Sequence, residues 1–178
     1  MKSFSKRVLV RLDYNVPYTT KGISDDFRIR ATLSTLRALL KKNHQIYIIA
    51  HWEQDGDTPH LDLIATRLEK LLHTPVRFVR GALPSPGTRF EDRIILFDNL
   101  RLFKGEKDNN LSFAKHLASF ADYFINDAFS VAHRKHASVV SVPKYLPSML
   151  GPLMKKEVHE LSRALVPRHP FFVVLCGK

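Results

Sequence analysis

The sequence predicts an α/β fold, a doubly wound three-layer parallel sheet of about six strands with helices on both faces. Three observations predict it. Short apolar runs alternate with helical patterns along the chain. Several of those runs end in polar clusters, as the strands of a parallel sheet do along their carboxyl edge. At 178 residues and 44% apolar composition, the chain can bury the core that such a fold needs.

Val8 to Leu12 reads as the first strand. Ile29, Leu33, Leu36 and Leu40 then fall at i, i+4, i+7 and i+11, one face of a helix from about Arg28 to Lys42. Asp25 and Asp26 stand just before it, where capping and the helix dipole favour acids. Ile46 to Ala50 is a second strand. Leu61, Ile64, Ala65, Leu68, Leu71 and Leu72 mark a second helix. Pro75 suits the entrance to a third strand, Val76 to Val79. Past a Gly- and Pro-rich loop over 81–87, Ile94 to Phe97 is a fourth strand and Leu111 to Ala121 a third helix. Tyr123 to Ile125 begins a fifth strand and Ser138 to Val142 is a candidate sixth. From Ser148 to Leu165 the pattern is helical, with a break expected at Pro152. Phe171 to Leu175 is an intensely apolar strand that stops at Cys176-Gly177-Lys178. It either closes the domain as a short edge strand or belongs to a second domain that should follow. The second expectation is favoured, because such a strand expects a sheet to join.

Composition narrows the function. No apolar run approaches the roughly 20 residues of a membrane span, so no membrane partner is expected. The start lacks the apolar segment of a signal peptide. One cysteine, Cys176, excludes an internal disulfide, and a reducing cytoplasm is the expected location. The formal charge of +11 raises nucleic acid as a partner. The positives are spread along the chain, and no aromatic RNA motif or zinc spacing appears, so no nucleic acid is expected. Part of the charge is read instead as focused on a multiply charged small anion.

The strand ends locate that anion. The stretch from Asn126 to His136, NDAFSVAHRKH, packs an amide, a carboxylate, two histidines and two cations among apolar residues. The first strand continues into Arg11, Asp13 and Asn15, which a period of two places on one face. The second leads into His51-Trp52-Glu53, the fourth into Asp98-Asn99-Leu100-Arg101, and the fifth into Asn126-Asp127 with His133-Arg134 beyond. Singly, each has a structural reading: Asp13 and Asn15 as turn formers before Pro17, Arg28 as a solvated cation, His51 as a core histidine, Arg101 as a partner of Glu106. Jointly they favour a site. Arg11, Arg28, Arg101 and Arg134 outnumber Asp13, and arginine's planar fork suits phosphate and carboxylate. Asp13 and Asn15 accept hydrogen bonds, as a hydroxyl between two anionic ends requires. The expected ligand is a small hydroxylated anion. His133, His136 and Asp127 lack a clear ligand geometry, so no metal site is expected. No GxxxxGK[ST], GxGxxG or GxSxG motif is present.

Six segments, in order, carry a family resemblance: VLVRLDYNVP (Val8 to Pro17), ISDDFRIRATLSTL (Ile23 to Leu36), ILFDNLRLFKGE (Ile95 to Glu106), DYFINDAFSVAHRKHAS (Asp122 to Ser138), GPLMKKEVHELSRAL (Gly151 to Leu165) and HPFFVVLCG (His169 to Gly177). The chain resembles the N-terminal half of phosphoglycerate kinase, a Rossmann-like domain, over nearly its whole length. The resemblance implies phosphoryl transfer between 1,3-bisphosphoglycerate and ADP, giving 3-phosphoglycerate and MgATP. It implies that residues 1–166 bind the glycerate substrate through Arg11, Asp13, Asn15, Arg28, His51, Arg101, His133 and Arg134. Arg28 matches the arginine that stabilises the transferring phosphoryl. Residues 167–178 would be the hinge and first strand of a missing nucleotide-binding domain, which holds MgATP or MgADP in the full enzyme, so no cofactor is expected on this chain. The chain alone would be a monomer without turnover. Two departures stand out. Where the family has HLGR, this sequence has His51-Trp52-Glu53-Gln54, which replaces a substrate-binding arginine with Gln54 and adds Glu53 beside an anion site. And the chain ends where the nucleotide domain would begin, which fits a fragment, or a naturally short protein with a binding or regulatory role and no catalysis.

Overall fold

The computed structural model describes residues 4–166 together with His169, Phe172 and Val174. The chain opens with β1 (Arg7–Arg11), a small antiparallel hairpin of β2 (Tyr18–Thr19) and β3 (Gly22–Ile23), and two consecutive helices, α1 (Phe27–Ala31) and α2 (Leu33–Lys41). Then follow β4 (Gln45–Ile49), α3 (Asp62–Leu72), β5 (Val76–Val79), β6 (Ile94–Phe97), α4 (Lys104–Lys107), α5 (Leu111–Ala118), β7 (Tyr123–Asn126), β8 (Ser148–Leu150) and α6 (Pro152–Leu165).

Six strands form one parallel sheet in the order β5-β6-β4-β1-β7-β8. The central strands β1, β4, β6 and β7 are largely buried on both faces, and the period of two sorts their side chains into two cores. Val8, Val10, Ile46, Ile48 and Leu96 pack under Ile29, Leu36, Ile64 and Leu68 of α1, α2 and α3. Leu9, Tyr47, Ile49 and Phe97 face the other way, against Leu117 of α5 and Phe120 just past it. That is the predicted three-layer α/β arrangement. Central β1 pairs with β4 on one side and β7 on the other, so Arg11 lies opposite both Ile49 and Asn126. The chain leaves β1 toward β4 and reaches β8 in the opposite direction. The crevice at the carboxyl ends of β1 and β7 is therefore the topological switch point, where open α/β sheets bind ligands.

Four expectations need correction. The helix expected over Arg28 to Lys42 is two helices. At the junction the Thr32 hydroxyl donates to the Ile29 carbonyl at 2.8 Å, a back-bond that competes with the helical ladder. Ser138 to Val142 is not a strand. Residues 137–144 wind through one wide π-helical turn and one 3-10 turn, because the Ser138 N–H and hydroxyl are drawn to Glu106 and the Ser141 hydroxyl to Asn109. The sixth strand is β8, three residues inside the segment expected to be helical. Pro152 starts α6 rather than breaking it, since the first helical position needs no N–H donor. The strand expected over Phe171 to Leu175 falls outside the described residues, apart from Phe172 and Val174, which are exposed.

Candidate functional site

Arg11 ends β1 at the switch point and is almost completely buried. Its Nε donates to the Ser138 hydroxyl at 2.8 Å, and Nη1 donates to the Leu12 carbonyl at 3.3 Å. Ser138 passes the contact on. Its hydroxyl donates to Glu106 at 2.5 Å, and its N–H donates to the other Glu106 oxygen at 2.9 Å. Burial holds the Arg11 pKa below its ordinary value against the opposing pull of Glu106 and Asp13. Burial likewise pushes the Glu106 carboxyl up, although Arg11 and both Ser138 bonds favour its charge. An arginine and a carboxylate that water would otherwise solvate are thus held in one buried relay.

His51 follows β4 and is also buried, and its Nδ1 has no hydrogen-bond partner among the described residues. Burial first, then the charges of Arg11, Arg134 and His136, lower its pKa to about 4, with Asp13 opposing. His136 is shifted down as well, by burial and then by Arg134, Arg11, Lys107 and His133. These mutual fields place Arg11, Asp13, His51, Arg134 and His136 in one electrostatic neighbourhood. His133, by contrast, is an exposed side chain at its rim.

Asp13 organises the outer wall. It accepts from the Ser130 hydroxyl at 2.7 Å and from the Asn15 N–H at 3.0 Å, and it forms an ion pair with Arg28 at the start of α1. Beside that pair opens a cavity of about 430 Å³, lined by Phe27, Thr32, Phe129, Ser130 and Leu153 among others. Asn15 reaches the other way, and its Oδ1 accepts the Glu53 N–H at 2.9 Å. Arg101 lies with Nε 3.0 Å from a Glu53 carboxylate oxygen. It does not pair with Glu106, the alternative weighed from sequence.

The HWEQ segment is built into the scaffold. Trp52 is buried, donates Nε1–H to the Val16 carbonyl at 2.6 Å and packs edge-on against Tyr18 at 4.7 Å. Gln54 accepts from the Tyr18 N–H at 3.0 Å and donates to its carbonyl at 3.3 Å. So the Gln54 amide pins the hairpin. Of the nearby cations, Lys21 sits in the exposed hairpin turn and Arg80 lies 3.9 Å from Asp62.

Other polar residues at the strand ends are structural. Asp98 accepts from the N–H groups of Gly81, Leu61 and Asn99 and from His60. Asn99 accepts the N–H groups of Trp52 and Arg101 and so ties the β4 and β6 loops together. Asp127 accepts from Thr35 at 2.6 Å and from the Met154 N–H at 3.0 Å, a cap in trans for the first turn of α6. Sequence reasoning therefore finds Arg11, Asp13, His51, Arg28 and Arg134 as a group, with Asn15 and Arg101 joined to it through Glu53. It misses Glu106, Ser138 and Ser130 as members, and weighs His136 individually only as a metal ligand. Glu106 and Ser138 close two of the segments singled out above, but nothing in their spacing brings them to Arg11.

Fold and side chains together define an α/β domain with a cluster of arginine and histidine side chains at the switch point of its sheet. The family model "Phosphoglycerate kinase" matches residues 1–178. The phosphoglycerate kinase of Dictyoglomus turgidum is 41% identical over 97% of this chain and 46% of its own length, and that of Coprothermobacter proteolyticus is 40% identical over 97% and 47%. The solved phosphoglycerate kinase of Coxiella burnetii superposes with a TM-score of 0.78 at 34% identity, over 90% of this chain and 42% of that one. The chain belongs to the phosphoglycerate kinase family. It spans about half the length of the curated relatives it matches.

Proposed function

We propose that this chain is the glycerate-binding half of a phosphoglycerate kinase, which transfers a phosphoryl group between 1,3-bisphosphoglycerate and ADP to give 3-phosphoglycerate and ATP. The observation that carries the reading is the gathering of Arg11, His51 and Arg134 at the switch point, with Arg28 held on Asp13 beside an open cavity. Residues 1–166 form the substrate domain, and residues 167–178 lead toward a nucleotide-binding domain that holds MgADP or MgATP.

In this proposal Arg11, Arg101 and Arg134 neutralise the phosphate and carboxylate of the glycerate, His133 adds a rim contact, and Asp13 and Asn15 receive its hydroxyl. Arg28 is the catalytic residue. Its side chain is half-exposed and anchored at one end by Asp13, so it can reach a transferring phosphoryl without losing its place. Phosphoryl transfer asks for in-line positioning and charge neutralisation more than for a covalent residue, and the site supplies those. Neutral His51 contributes a hydrogen-bonding ring rather than a charge at neutral pH. Closure of the nucleotide domain over this edge would expel water and complete the constellation. The protein is a cytoplasmic monomer in this reading; no helix among the described residues is long and apolar enough to cross a membrane.

Titration of this chain with 3-phosphoglycerate, followed by NMR, tests the reading. Millimolar ligand is expected to shift the side-chain resonances of Arg11, Arg28, Arg101 and Arg134, with no turnover by the chain alone. No shift with the fold intact rejects it. A second reading, a binding protein of the same fold without catalysis, draws on the uncharged Gln54 and its engagement by Tyr18. Phosphoryl transfer by the full-length polypeptide, measured with ADP and 1,3-bisphosphoglycerate, separates the two.

A further inference from the structure

Arg101 is predicted to bind the anion, yet its charge is already taken. Its guanidinium is nearly buried, with Nε 3.0 Å from Glu53 Oε2, while the Glu53 carboxylate remains half-exposed. Arg101 Nε finds no well-aligned hydrogen bond in this arrangement. The pair is an ion contact with a donor still unsatisfied, rather than a finished bidentate bridge. Two backbone anchors bring the partners together. Asn99 accepts the N–H groups of both Trp52 and Arg101, and Asn15 accepts the N–H of Glu53. The meeting is thus built by the loops and does not depend on the side chains finding each other. Glu53 can swing into solvent without disturbing the fold, because its backbone is held by Asn15 and its half-exposed carboxylate by the Arg101 contact.

We propose that Glu53 is an internal stand-in for the anion: its carboxylate pairs with Arg101, and an incoming phosphate or carboxylate must displace it. Glu53 thereby sets the affinity of this edge and selects for ligands charged enough to compete with a tethered carboxylate. The inference rests on the glycerate-binding reading for its natural ligand, but the ion-exchange step is the same for any small oxyanion. Displacement costs the edge one ion pair, so the penalty is modest, about three- to fivefold in affinity.

Calorimetric titration of the full-length polypeptide with inorganic phosphate and with 3-phosphoglycerate tests this, comparing the parent with Glu53→Gln. The variant is expected to bind both ligands about three- to fivefold more tightly. In an Arg101→Met background the same change is expected to bring no gain. Unchanged or weaker phosphate binding in Glu53→Gln overturns the proposal, because Glu53 would then position Arg101 rather than block it. An equal gain in the Arg101→Met background also overturns it, since the effect would be one of net charge. If phosphate follows the expected pattern while 3-phosphoglycerate binds neither protein, the stand-in role holds and the glycerate reading fails.

Discussion

A buried imidazole flanked by two guanidinium groups loses its proton readily. For His51 the burial and the fields of Arg11 and Arg134 bring the folded pKa to about 4, against 6.5 for the free side chain. The folded state therefore binds fewer protons than the unfolded chain between pH 6.5 and about 4. The stability tied to neutral His51 is complete above that window and is lost as pH falls through it, up to about 3 kcal/mol. His51→Gln should flatten this acid limb, so that its urea midpoint falls less than the parent's from pH 6.5 to pH 4. A parent-to-variant difference that stays constant across the window would contradict the assignment. At this scale the sequence announced residue types but not their partners. Arg11 is readable as a strand-end cation. Its acceptor, Ser138, lies 127 positions away, and Ser138 meets Glu106 across another 32, so no local pattern could report the relay that holds it.

At the scale of elements, continuous apolar runs identify β1, β4, β6 and β7 well, because strands buried on both faces leave little room for other patterns. The pattern fails where polar side chains decide. Ser138-Val139-Val140-Ser141 has strand propensity, but its serines bond to Glu106 and Asn109, and the chain coils. Edge strand β8 is short and exposed, so neither of its faces leaves a periodic mark. The junction of β8 and α6 depends on a contact that sequence also hides. Gly151 has ordinary extended backbone, yet a Cβ there would overlap the Asp127 carboxyl. That carboxyl holds Thr35 of α2 and the Met154 N–H of α6. Gly151→Ala should therefore push Asp127 off both partners and destabilise the domain by about 2 kcal/mol. Faster hydrogen exchange at the Met154 amide, together with a lower Tm, would show it. An unchanged Met154 amide would mean that Asp127 does not cap α6.

For the whole molecule, the order of strands matters more than any single motif. Because the connections diverge at β1 and β7, residues from distant segments converge on one edge, and the polar strand ends mark that edge in the sequence itself. The net charge of +11 was harder to place, since the positive residues are spread along the chain. Lys41 and Lys42 end α2 just before β4 begins, at the amino edge of the sheet. Five residues of β4 put about 16 Å between them and the carboxyl edge. A charge at that distance acts on a ligand across about two Debye lengths at 0.15 M salt, but within one at 0.01 M, where the screening length is about 30 Å. Each pair of unit charges about 20 Å apart in water is worth about 0.2 kcal/mol, and a phosphoglycerate carries about three negative charges. If the edge binds 3-phosphoglycerate as proposed, replacing Lys41 and Lys42 together by glutamine should then weaken that binding by about threefold at 0.01 M salt and leave it unchanged at 0.15 M. Equal weakening at both salt concentrations would mean that the substitutions act through the structure of α2 rather than through the field. No weakening at either would mean that the edge draws its ligand with its own arginines alone.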